Sequence, residues 1–237
     1  MKIANNIEIL EIQGGRGTLY PVFDGSRPNV DIEYYTKLFF NEKTGKERYS
    51  IIPKEAEKIF SEKPPESHWS IATECYGCDL YYIQMLGAYL LGLIGSKDSL
   101  SFLKNTVSLN PSWQVQEFLA MAFDVYCKKN GYEESLETIN EWLHDANPNV
   151  RRAVIEGLRV WTKRTYFERN PKAAIDIISK YKEDESEYVR KSVGNALKDI
   201  SKTYPDLVKE ELSKWKLDTK AVKQVYGLAT KIMKKQE

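Results

Sequence analysis

The sequence predicts an all-α protein, a superhelix of antiparallel helix pairs with one concave, basic face. Three observations carry that prediction. From about residue 31 onward, apolar positions recur at three- and four-residue spacing, and no convincing run of alternating residues interrupts them. Asparagine–proline pairs mark helix starts at Asn110-Pro111, Asn147-Pro148 and Asn170-Pro171, each placing an N-cap before a residue whose missing N–H costs nothing there. Finally, Val150-Arg151-Arg152-Ala153-Val154 lines up with Val189-Arg190-Lys191-Ser192-Val193 at a spacing of 39, and Leu158-Arg159 lines up with Leu197-Lys198 at the same spacing.

Taken in order, residues 1–30 read as an irregular N-terminal arm. Ile7 to Ile12 suits a short strand, and Gly14, Gly15, Gly17, Pro21, Gly25 and Pro28 make the rest loop-like. Residues 31–237 read as a single solenoid. Val115, Leu119, Ala122, Phe123 and Tyr126 form one helical stripe; Val150, Val154, Leu158 and Trp161 form a second. Val189, Val193, Leu197 and Ile200 form a third, and Val222, Val225, Ala229 and Ile232 close the chain. A weaker copy of the repeat runs from Val115 to Phe123, 35 residues ahead of the first. Helical repeats of this length build HEAT-like and armadillo-type arrays, in which each pair buries one face against the next.

Composition narrows the classes of function. With 42% hydrophobic and 29% charged residues, the 237-residue chain is ordinary for a folded globular protein. The most apolar stretch, Leu80 to Gly95, is interrupted by Gln84 and is too short for a membrane span, which takes about 20 residues. Glu8 inside the N-terminal apolar segment argues against an export signal, so the expected location is cytoplasmic, with no membrane partner. Cys75, Cys78 and Cys127 are too few for a disulfide framework. Cys75-Tyr-Gly-Cys78 lacks a second ligand pair, because His68 and His144 are the only histidines. No metal and no cofactor are expected. The same scarcity of histidine disfavours Ser/His or Cys/His catalysis. Gly14-Gly15-Arg16-Gly17 lacks the strand–turn–helix setting that would make it a phosphate loop.

The net charge of +1 hides a split: residues 1–150 carry 14 basic and 21 acidic side chains, residues 151–237 carry 21 and 13. The repeat places Arg151, Arg152 and Arg159 in one copy opposite Arg190, Lys191 and Lys198 in the other, and Lys163 and Arg164 extend the first row. Stacked repeats would assemble these rows into a stripe able to track a phosphate backbone. The competing expectation is a solvated face of local ion pairs such as Arg152 with Glu156 or Lys180 with Asp184. Trp113 and Glu117 share a helix face one turn apart, and Glu156 lies between Arg152 and Arg159. A carboxylate near a phosphate-binding stripe is unfavourable unless it is paired or does chemical work, such as stabilising a developing cation or positioning water. For Glu156 the plain alternative is pairing with Arg152 and Arg159; for Trp113 it is core packing.

The segments Asn147 to Arg159 (NPNVRRAVIEGLR) and Tyr188 to Val208 (YVRKSVGNALKDISKTYPDLV) resemble the DNA alkylation repair family, the AlkC- and AlkD-type HEAT-like repeat DNA glycosylases. The resemblance spans roughly residues 31–235 and extends to the ending LSKWKLDTKAVKQVYGLATK. It implies excision of positively charged N3- and N7-alkylated purines from double-stranded DNA held on the concave face, without full base flipping. By the same resemblance Trp113 and Glu117 are similar to the family's Trp and acidic residue, with Glu where AlkD types have Asp. Arg151 or Arg152 is similar to the backbone-clamping arginine. Glu156, Gly157 and Arg159 resemble the opening of the AlkC-type EGxRP motif.

The chain also departs from the family. Val160-Trp161-Thr162-Lys163 replaces the residues that follow that motif, and Asn195 stands where AlkD types carry a second tryptophan. An N-terminal family helix survives in part as Tyr35-Thr36-Lys37 and Phe39-Phe40. The resulting expectation is an alkylpurine DNA glycosylase with Trp113, Glu117 and Glu156 as catalytic residues. Its DNA-binding residues would be Arg151, Arg152, Arg159, Lys163, Arg190, Lys191 and Lys198. The alternative is a non-catalytic helical-repeat module that binds DNA or a protein partner.

Overall fold

The structure is a computed structural model that describes residues 30–41 and 44–233. The arm predicted over residues 1–30, except the buried Val30, and the strand predicted for Ile7 to Ile12 lie outside the described residues. Thirteen α-helices follow one another among the described residues, together with four short 3-10 turns and one two-residue antiparallel ribbon, Phe40–Asn41 with Lys46–Glu47. Helix α1 (Ile32–Phe39) carries the partly retained N-terminal segment, and buries Phe39. Helices α2 (Ile52–Glu62) and α3 (His68–Gly77) both pack on α4 (Tyr81–Ile94).

From there the chain is a row of inner helices, each backed by an outer one. The inner row is α4, α6 (Trp113–Asn130), α8 (Pro148–Gly157), α11 (Glu187–Ile200) and α13 (Lys220–Ala229), and every member packs on the next. Between them run α5 (Lys97–Asn105), α7 (Leu136–Leu143), α9 (Thr165–Arg169), α10 (Pro171–Ser179) and α12 (Pro205–Ser213). Inner helices meet one another far more closely than outer ones do, which makes the inner row the concave side.

Two glycines permit that close approach. A Cβ on Gly92 of α4 would stand 2.6 Å from the Ala122 carbonyl oxygen of α6, and one on Gly157 of α8 would stand 2.2 Å from that of Ala120. Both neighbours are backbone and cannot swing aside. We therefore expect Gly157→Ala to destabilise the protein by about 2–3 kcal/mol, the upper part of the range for overpacking, measured as a lowered denaturation midpoint.

The predicted stripes form the core: Val115, Leu119, Phe123, Val150, Val154, Leu158, Val189, Val193, Leu197 and Val225 are all buried. Two of the three expected helix starts stand, with Pro148 and Pro171 at first helical positions. At the third the helix begins at Trp113 with Ser112 as N-cap, because the Asn110 side chain accepts from the Ser112 N–H (2.9 Å) and closes a turn instead.

This turn recurs. Asp145 accepts from the Asn147 N–H (2.8 Å) ahead of α8, and Asp184 accepts from the Ser186 N–H (2.8 Å) ahead of α11. Six residues after each turn residue, a long polar side chain reaches back over the loop. Gln116 donates to the Asn110 carbonyl (2.8 Å), Arg151 to those of Asp145 (2.7 Å) and Ala146 (2.9 Å), and Arg190 to those of Asp184 (2.7 Å) and Glu185 (3.0 Å). The weak copy at Val115 is thus a full repeat, with an amide in place of the guanidinium.

Candidate active site

The concave side carries an open cleft of about 270 Å³ between α4, α6 and α8, lined by Tyr89, Glu117, Met121, Asp124, Glu156 and Arg164 together with the backbone around Ala120 and Gly157. Glu117, Met121 and Asp124 fall within seven residues on α6, so they project from one face. Glu156 sits at the C-terminal end of α8, held close to α6 by the Gly157 crossing. Arg164 follows the 3-10 turn Trp161–Lys163. Three carboxylates therefore line the cleft against one guanidinium.

Each carboxylate has a different setting. Glu117 is 38% exposed; its Oε1 pairs with Arg152 Nη2 and accepts from the Tyr188 hydroxyl (3.4 Å). Its Oε2 has no partner among the described residues. Glu156 is more enclosed and both its oxygens are taken, Oε1 by Arg159 Nη1 (3.0 Å) and Oε2 by the Ser192 hydroxyl (2.8 Å). Asp124 accepts from Arg164 Nη2 (2.6 Å) and the Tyr132 hydroxyl (3.0 Å). Burial raises the Asp124 carboxyl above its ordinary value, against the opposing pull of Arg164 and Tyr132. Burial also pushes the Tyr89 hydroxyl up to about 12, which keeps the cleft's aromatic wall neutral.

The residues expected at the site are distributed unevenly. Glu117 and Glu156 come together in the cleft. Trp113 is not in the core; it is 61% exposed, at the start of α6 one turn before Glu117. Arg152 is almost fully buried and reaches Glu117, not Glu156. Arg159 bridges Glu156 and Asp199 (2.7 Å), joining α8 to α11. Lys163 is exposed beside the cleft, Lys191 is exposed and paired with Glu187 (2.9 Å), and Lys198 donates to the Asn195 side chain (2.9 Å).

Arg151 is a correction. It is buried, and all its N–H groups are taken: Nε and Nη2 by Asp184 (2.8 and 2.9 Å), Nη2 also by Glu185 (3.4 Å), and Nη1 by the two loop carbonyls. No donor is left for a phosphate. Arg190 is tied similarly, adding a bond from Nε to Gln224 (3.0 Å). Of the expected local pairs Glu156 with Arg159 stands, whereas Arg152 turns to Glu117 and Asp184 to Arg151.

Sequence reasoning missed Asp124 and Tyr188, and it placed Arg164 in the basic row without its Asp124 partner. The signal for Asp124 was its seven-residue spacing from Glu117, which puts both on one face of α6. Among the described residues no group of three metal-ligating side chains occurs, and no helix is long and apolar enough to cross a membrane. Cys75 is buried in the core, where burial raises its thiol pKa.

A stack of helix pairs with carboxylates gathered on its concave side defines a class, and comparison with known proteins identifies it. The family model for the DNA alkylation repair enzyme matches residues 48–230, and the chain belongs to that family. Among solved structures it is similar to AlkD2 from Streptococcus mutans, with a TM-score of 0.78 and 45% identity over 84% of this chain and 97% of that one. It is also similar to smu.31 from Streptococcus mutans UA159, with a TM-score of 0.76 and 44% identity over the same shares, 84% and 97%. Pseudomonas fluorescens alkylpurine DNA glycosylase AlkC, bound to DNA containing an abasic site analog, shares the fold at a TM-score of 0.60 and 22% identity, over 78% of this chain and 52% of that one. An uncharacterized Bacillus subtilis (strain 168) protein, YhaZ, is 38% identical over 87 residues, which cover 35% of this chain and 24% of that relative's length.

Proposed function

We propose that this member of the DNA alkylation repair family hydrolyses the glycosidic bond of cationic N3- or N7-alkylated purines in duplex DNA. The observation that carries the reading is the charge of the cleft. Three carboxylates and one arginine line a pocket formed where the acidic part of the chain, through α4 and α6, meets the start of the basic part at α8, and this surplus of negative groups favours a cation. An alkylated purine is such a cation. As its bond to C1′ breaks, the electron pair moves into the ring and neutralises the base, while positive charge develops on the sugar. Water adds to C1′ and gives up a proton to solvent.

The roles follow from the settings. Glu117 has the free oxygen and the greater exposure, so it faces the sugar and orients the water. Glu156 and Asp124, fully bonded, contribute fixed negative potential. That is electrostatic preorganisation, which needs no rearrangement when charge develops. Trp113, exposed one turn before Glu117, supplies an aromatic face to the nucleotide. Arg152, Arg159, Lys163, Lys191 and Lys198 are the phosphate contacts in this reading. Because the cleft is open, it is reached from the backbone side without extruding the base.

The test is incubation with a duplex carrying one 7-methylguanine, followed by alkaline cleavage of abasic sites. Strand breakage at the lesion is expected. Its absence, with a known glycosylase active in parallel, overturns the reading in favour of a non-catalytic module. Contact with about five phosphates predicts a slope of log K against log salt near −4 to −5 for binding to the same duplex. A flat dependence would point to a protein partner instead.

A further inference from the structure

We propose that Tyr188 is a positioning residue whose ring is a movable cover over Arg152, displaced when a DNA phosphate takes the N–H groups the ring now shields. The proposal rests on the DNA-binding part of the reading above and concerns a residue that opens the family-like segment Tyr188 to Val208 but is not among the expected site residues. Three observations support it.

First, Arg152 is 4% exposed, yet only its Nη2 is bonded; Nε and Nη1 are buried with no acceptor among the described residues. Buried polar groups without partners are rare and destabilising, so their persistence calls for an explanation. Its neighbour Arg151, on the same helix, has every donor filled. Second, the Tyr188 ring lies over the Arg152 guanidinium, 4.1 Å from its carbon, and this contact compensates for the missing acceptors in part. Third, Tyr188 is weakly tethered. It is the second residue of α11, it is 37% exposed, and its hydroxyl reaches Glu117 only at 3.4 Å.

These contacts couple two events. A phosphate that displaces the ring completes the bonding of Arg152. It also competes for the Nη2 donor and removes the tyrosine hydroxyl from Glu117. The carboxylate is then released toward the sugar only when a backbone is in place. Burial raises the Tyr188 pKa, so its hydroxyl stays protonated and remains a donor to Glu117 until that moment.

Anisotropy of a labelled, undamaged duplex tests the cover independently of excision, using the full chain and Tyr188→Ala, Tyr188→Phe and Arg152→Met. If the closed form dominates about tenfold, removing the ring should tighten binding by up to about tenfold, because the cost of opening disappears. Tyr188→Phe, which keeps the ring, should stay near wild type. In the Arg152→Met background, Tyr188→Ala should have no effect on affinity. Equal or weaker binding by Tyr188→Ala, the same gain without Arg152, or no duplex binding by any of the proteins would overturn the proposal. The excision reading fails on a different result, absence of base release from methylated duplex.

Discussion

Glu117→Gln is expected to slow release of 7-methylguanine about 100-fold or more, the scale of losing one preorganised electrostatic partner to a charge-developing transition state. The substitution keeps the shape and keeps an amide oxygen to accept from Arg152, so the local ion pair becomes a hydrogen bond and the fold survives. It removes the negative charge on the one carboxylate in the cleft that has an oxygen to spare. The loss should therefore fall on the rate of the chemical step under single-turnover conditions. Glu156→Gln should cost less, about tenfold, because both Glu156 oxygens are already held by Arg159 and Ser192 and its charge acts from a distance. Equal rates for wild type and both variants would remove these residues from the site.

Arg151→Ala is expected to destabilise the protein by about 3–5 kcal/mol, the cost of leaving one partner of a buried pair alone. Asp184 would lose both its charged bonds, and the carbonyls of Asp145 and Ala146 would lose their donor. For a chain of this size the midpoint of thermal unfolding should fall by about 10 °C. Arg151→Lys keeps the charge but not the planar fork, so its loss should be intermediate. Its affinity for duplex DNA should equal that of wild type, since Arg151 has no donor free. A Lys variant that folds normally but binds DNA weakly would return Arg151 to the interface.

The contrast between Arg151 and Arg152 shows what could be read in advance. Helices were legible because their apolar stripes, N-caps and prolines are local signals, and the 39-residue repeat gave the architecture. Apart from Glu156 with Arg159, polar partners were not, because local spacing offers Glu156 to Arg152 and Lys180 to Asp184, whereas stacking brings in residues about one repeat away. Glu117 stands 35 residues before Arg152, and Asp199 stands 40 after Arg159. The repeat length itself was the better guide to those pairs. The same stacking turned part of the basic stripe inward: Arg151 and Arg190 are matched because each clamps its own loop, a constraint of the fold and not of a ligand.

A cation-seeking cleft is tested most directly by base release from matched duplexes that differ only in the charge of the lesion. Under single-turnover conditions, wild-type protein should release cationic 7-methylguanine and 3-methyladenine and leave neutral hypoxanthine in place. Release of hypoxanthine at a comparable rate, or of none of the three, would contradict it.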